Sequence, residues 1–180
     1  MLNGEHNILA INPGARYIGL AVFHGPELLD WNVKRVQEEN VEERLRRVNS
    51  ILSEVIKMYD FDCLAIKELH QSRTSEYICK LTKELKSWAQ RNGLAVHEYT
   101  LKDIEISLLH SAKANKRNIM DEVADVYSFL HSEVEKERAN RNGYLVRMFE
   151  AVALGMKCLN DLEKPKGRKI ISVNHGKEKQ

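Results

Sequence analysis

Ile8-Leu9-Ala10-Ile11-Asn12-Pro13-Gly14-Ala15-Arg16-Tyr17-Ile18-Gly19-Leu20-Ala21-Val22 decides how this chain folds. An apolar run meets a polar residue, turns through Pro-Gly and resumes as a second apolar run. The pattern predicts a buried strand, a tight turn and an antiparallel return strand. Asn12 is left at the end of the first strand, beside a turn where backbone can approach a ligand closely.

Outward from this hairpin, Gly25-Pro26 turns the chain into a third strand over about Leu28 to Val36. Strands over 7–11, 17–23 and 28–36 with short links form an antiparallel meander. Val41, Leu45, Val48, Ile51, Leu52, Val55 and Tyr59 then recur at helical spacing, which predicts a long amphipathic helix. The short apolar run Asp62-Cys63-Leu64-Ala65-Ile66-Lys67-Glu68 follows. A strand reached by a helical crossover pairs parallel with the first and is buried on both faces. A second helix over 74–91, with Tyr77, Leu81, Leu85 and Trp88 inward, stops at Asn92-Gly93. Residues 94–99 make the fifth strand. Helical patterns fill 101–109, 115–131 and 144–159, and the charged stretch Glu133 to Asn142 reads as a helix end and loop. The order predicts an α/β sandwich on a mixed five-stranded sheet, three antiparallel strands followed by two parallel ones.

The chain has 180 residues, 43 % hydrophobic and 30 % charged, enough for one globular domain with its own core. That domain is expected over 1–160, with a basic, flexible tail over 161–180 that includes Lys164-Pro165-Lys166-Gly167-Arg168-Lys169. No apolar run reaches membrane-spanning length, and Met1 to Asn7 is too polar for a signal peptide. A cytoplasmic location without a membrane partner is expected. Cys63, Cys79 and Cys158 are scattered, odd in number and without metal-ligand spacing, which suits small core residues in a reducing compartment. The histidines show no such spacing either. GxGxxG, GxxxxGK[ST] and a nucleophile elbow are absent, which removes the dinucleotide-binding, P-loop and α/β-hydrolase classes. The net charge is only +2, but basic residues gather at Arg44, Arg46 and Arg47, at Lys113, Lys116 and Arg117, and in the tail. Such clusters are either solvated faces or a surface for nucleic acid.

Chemistry belongs where polar groups end neighbouring strands in one crevice. Asn12 ends the first strand and Glu68 the fourth, and those strands are predicted neighbours. This hairpin resembles the first motif of the RuvC-type Holliday junction resolvases, in the RNase H-like nuclease superfamily. Ala65-Ile66-Lys67-Glu68 is similar to their fourth-strand motif. His97-Glu98-Tyr99-Thr100, Lys102-Asp103-Ile104 and Ser111 to Val123, including Ala114-Asn115-Lys116, resemble the connection that follows. Arg147-Met148-Phe149-Glu150-Ala151-Val152-Ala153-Leu154-Gly155 resembles the last helix, so the likeness spans Ile8 to Leu159.

The resemblance implies an RNase H-like fold, magnesium, branched or four-way junction DNA as partner, and a homodimer. It implies that Asn12, Glu68 and Glu150 are the catalytic and metal-binding residues. The basic cluster of Lys113, Lys116 and Arg117 is expected to flank that crevice and bind DNA, and by the resemblance Lys116 matches a basic residue that faces phosphate. Two-metal phosphodiester hydrolysis needs several hard oxygen ligands whose charge offsets the ions. Here Asn12 stands where the family has an aspartate, and Arg147 where it has one of two helix acids. Metal binding is therefore expected to be weak or absent, with Arg147 reaching Glu68 or Glu150 in place of an ion. Three functions stay open: a junction endonuclease, a DNA-binding module that has lost hydrolysis, or a structural protein reusing the fold.

Overall fold

The structure is a computed structural model that describes residues 5–70, 74–109 and 116–164. The hairpin at its centre forms where Pro13-Gly14 predicts, joining β1 (Asn7–Asn12) to β2 (Tyr17–His24) antiparallel, with Asn12 opposite Gly19. β3 (Glu27–Arg35) completes the meander, with a register shift between Val22 and Phe23. Helix α1 (Val41–Met58) crosses over, and its first turn is capped by Asn40, whose side chain accepts from the Glu43 amide at 2.9 Å. The crossover delivers β4 (Cys63–Lys67) parallel to β1, with Ile11 opposite Ile66. Helix α2 (Glu76–Arg91) then delivers β5 (Ala95–Tyr99) parallel to β4. The strand order is β3-β2-β1-β4-β5, the mixed sheet expected.

β1 is the central strand, so its side chains alternate between two cores. Leu9 and Ile11 join Leu64, Ile66 and the apolar stripes of α1 and α2 on one face. Ile8 and Ala10 join Cys63, Ala65 and the helices that close the other face. Those helices are α3 (Leu101–Leu109), α4 (Lys116–Val126), α5 (His131–Asn140) and α6 (Val146–Glu163). Helix α6 lies across β1 and β2, and its middle, Met148 to Met156, is buried all round and almost wholly apolar, as an enclosed helical segment must be. Its approach is close enough that a Cβ on Gly19 would stand 1.9 Å from the Arg147 carbonyl oxygen. Only glycine in β2 lets the first turn of α6 seat there.

Two local expectations differ. The helix expected over 115–131 ends at Val126 and resumes as a 3-10 turn, Ser128–Leu130. The stretch read as a helix end and loop, Glu133 to Asn142, is mostly α5. Charge on every side hid its periodicity, but the helix is held by what those charges do. Lys136 pairs with Glu133 and Arg138 with Glu135, each three residues apart. Glu137 is buried, and its carboxylate accepts from the amides of Gly143 at 2.6 Å and Leu145 at 2.8 Å, tying α5 to the entry of α6. Of the stretch expected as a tail, residues 161–163 belong to α6, and 165–180 lie outside the described residues. Among the described residues no helix is long and apolar enough to cross a membrane.

Candidate nucleic-acid site at the ends of the central strands

β1 and β4 run parallel, so their last residues, Asn12 and Lys67, emerge at the same end of the sheet. Alternation puts both on the face covered by α6, one residue beyond Ala10 and Ala65 in their face's sequence of side chains. There they meet Glu150, in the second turn of α6. The Asn12 side-chain amide donates to Glu150 Oε2 at 2.7 Å and to the Arg147 carbonyl at 3.3 Å. Lys67 Nζ lies 3.1 Å from the same Glu150 oxygen. Asn12 is 0 % exposed and the Glu150 side chain 1 %, while Lys67 keeps 19 % of its side chain in contact with water. Arg147, half-buried, sets its guanidinium against the hairpin turn: a Cβ on Gly14 would come within 3.2 Å of its Cζ and Nε.

The structure thus brings Asn12 and Glu150 together, with Arg147 beside them. Glu68 is elsewhere. One step along β4 turns its side chain to the opposite face, where it lines a hollow of about 300 Å³ with Leu69, Cys79, Thr82, Lys83, Lys86 and Glu98. The residue that occupies the fourth-strand position beside Asn12 is Lys67, which sequence reasoning passed over. Side-chain size carried the signal. Ala10 and Ala65 lie under the alanine-rich face of α6, whereas Leu9, Ile11, Leu64 and Ile66 fill the other core. Following the small-residue parity to the strand ends leads from Ala10 to Asn12 and from Ala65 to Lys67.

Lys67 also does part of what was expected of Arg147, bringing positive charge to Glu150. A buried ion pair is favourable only when its geometry and added hydrogen bonds offset desolvation. The amide of Asn12 supplies one such bond. Lys116 and Arg117 open α4, with only their backbone described, and Lys113 lies outside the described residues.

These donors do not fit a divalent metal. The carboxylate oxygen Oε2 of Glu150 is already shared between an amide and an ammonium. The side-chain oxygen of Asn12 is buried without a hydrogen-bond partner among the described residues, but it is a single neutral ligand. A dication placed on it would stand beside the Lys67 and Arg147 charges with one carboxylate to offset all three. The arrangement can instead present two fixed cations to an anion at the end of the sheet.

Comparison with known proteins gives this geometry a context. Residues 8–139 match the family described as crossover junction endodeoxyribonuclease RuvC. A protein of that name from Marinobacter nauticus is 28 % identical over 119 residues, 62 % of this chain and 68 % of its own. Another from Geobacter sp. is 24 % identical over 160 residues, 84 % of this chain and 96 % of its own. In three dimensions, Thermus thermophilus RuvC in complex with a Holliday junction substrate superposes with a TM-score of 0.69 at 17 % identity, over 84 % of this chain and 92 % of that one.

Proposed function

This chain belongs to the RuvC family of crossover junction endodeoxyribonucleases, and on that premise we propose that it engages four-way junction DNA at the Asn12 end of its sheet. Nucleases of the family are junction-resolving enzymes of RNase H-like fold that depend on a divalent metal. The observation that carries the reading for this chain is the Lys67 ammonium, 3.1 Å from the Glu150 carboxylate. A tethered cation there attracts a backbone phosphate without an ion being recruited. Arg147, whose guanidinium can bind phosphate bidentately, stands beside it. Lys116 and Arg117 add to this reading. They sit in the first turn of α4 with no acidic residue, where the helix dipole disfavours cations unless an anion joins them.

A four-way junction has two-fold symmetry, so the protein acts as paired copies, each offering one such crevice. Free cysteines and the absence of a membrane-spanning helix among the described residues accord with work in the cytoplasm, on intermediates of DNA recombination and repair. The family match over residues 8–139 favours a second reading, hydrolysis of the junction with magnesium. The donor set of Asn12, Lys67, Arg147 and Glu150 gives no support to a metal-dependent step at this end of the sheet, so junction binding is the part of the family's endonuclease activity that the geometry carries.

The experiment compares a four-way junction with a duplex of the same sequence, first for binding and then for cleavage with magnesium or manganese present. The junction is expected to be bound more tightly than the duplex and recovered uncut. Metal-dependent nicks that disappear in Glu150→Gln would transfer the conclusion to the endonuclease. Failure to bind either DNA would leave a fold reused for protein contacts.

A further inference from the structure

Well away from the Asn12 end, β4, β5 and α6 bring together three groups that the chain scatters. They are Cys63 at the start of β4, His97 in the middle of β5 and Cys158 late in α6. One ligand atom from each lies within 4.8 Å of the other two. The parallel register explains the first two. Cys63 lies opposite Ala95 and Ala65 opposite His97, so Cys63 and His97 are diagonal neighbours on the face that α6 covers. Cys158 closes the cluster from above, two helical turns beyond Glu150.

The spacing decides what the cluster suits. The Sγ atoms of Cys63 and Cys158 are 3.9 Å apart, far beyond the roughly 2.05 Å of a disulfide. Two thiolates on one tetrahedral zinc ion, each bound at about 2.3 Å, stand about 3.8 Å apart. Thiolate with imidazole is the donor set that selects zinc over the hard cations. Cys63 is 2 % exposed and Cys158 0 %, and His97 is half-buried on the edge strand, which provides the way in.

We propose that Cys63, His97 and Cys158 form a zinc site that ties α6 to the parallel half of the sheet, with its fourth position left to water or to Asp161. Two thiol protons pass to solvent as two zinc–sulfur bonds form, so the thiolates balance the charge of the ion. Lys157 packs 5.0 Å over the Tyr99 ring and is itself paired with Asp161, so its charge does not stand alone against the ion.

The test uses the full chain, reduced and metal-free, titrated with cobalt(II) as a spectroscopic stand-in for zinc. A single equivalent is expected to produce thiolate-to-cobalt charge-transfer and tetrahedral ligand-field bands, which zinc then displaces. Zinc uptake in weak buffer is expected to release about two protons per ion. Replacing the exposed cysteine, Cys79→Ser, leaves the bands intact, whereas Cys63→Ser and Cys158→Ser lose charge-transfer intensity. Both of those sites are buried, so His97→Ala carries the test if they unfold. It is expected to keep the native circular dichroism, to weaken zinc by at least about tenfold, and to abolish the rise in Tm that zinc gives the parent. Absence of the bands, their survival without both core cysteines, or unchanged zinc affinity in His97→Ala would overturn the proposal. So would a Cys63–Cys158 disulfide forming under mild oxidation in a protein that takes up no metal.

Discussion

At the scale of single residues, the centre of this protein is defined by what each substitution does to charge. An aspartate and an asparagine have nearly the same shape, yet Asn12 reverses the hydrogen bonding that an aspartate would make here. Its amide donates to Glu150 where a carboxylate would have repelled it. Lys67 completes the change by bringing its ammonium to the same oxygen. Neither works without the other's partner, because a carboxylate 1 % exposed tolerates the loss of a bound cation poorly. Restoring metal binding therefore takes three changes. Asn12→Asp with Arg147→Asp alone is expected to bind no magnesium by calorimetry, because Lys67 still occupies the site. Adding Lys67→Glu is expected to give measurable magnesium binding, since four carboxylates then converge. Equal magnesium binding by the double and triple variants would show that Lys67 does not hold the site closed.

At the scale of elements, one helix start is fixed by a reciprocal cap that responds to pH. Thr100 and Asp103 form one ahead of α3. The Thr100 amide and hydroxyl donate to Asp103 Oδ2 at 2.8 and 2.6 Å, and the Asp103 amide donates to the Thr100 hydroxyl oxygen at 3.1 Å. The hydroxyl bond first, and then the amide bond, hold the Asp103 carboxyl below its ordinary value. A carboxyl depressed in the folded state contributes stability above its unfolded pKa, about 3.9, and loses it as pH falls through the folded value. Asp103→Ala is expected to cost about 1 kcal/mol at neutral pH, with the difference from the parent shrinking in acid. Urea denaturation at both pH values measures it. A gap that stays constant into acid would mean that the carboxylate charge plays no part. Helix α5 illustrates the opposite case, in which charge obscured an element. Its polar surface carries no apolar stripe, and it is anchored by Glu137, whose carboxylate meets the backbone amides six and eight residues further on.

Across the whole molecule, the small net charge of +2 conceals an uneven distribution. Lys67 and Arg147 lie at one end of the sheet, and Lys116 and Arg117 open α4. If the last two neutralise phosphates, each releases condensed counterions on binding. Changing both to alanine is then expected to weaken junction and duplex binding alike and to flatten the plot of log affinity against log salt by about two. A weakened affinity with an unchanged slope would place those side chains away from the DNA backbone.

The sequence determined the order of the strands and their crossover helices, the mixed sheet and the position of Asn12, because these depend on local period and on turn chemistry that the segments carry themselves. It also determined that Glu150 shares a helix with Arg147. What it left open was which side chain of Lys67 and Glu68 faces Asn12, since both end an apolar strand and a shift of one residue exchanges the faces. Only the pairing of Ile11 with Ile66, which sets Ala10 and Ala65 under α6, decided it, turning Lys67 toward the centre and Glu68 away. The meeting of Cys63, His97 and Cys158 was equally beyond reach, since ligands 95 residues apart become neighbours only when parallel strands and a closing helix fix their distances.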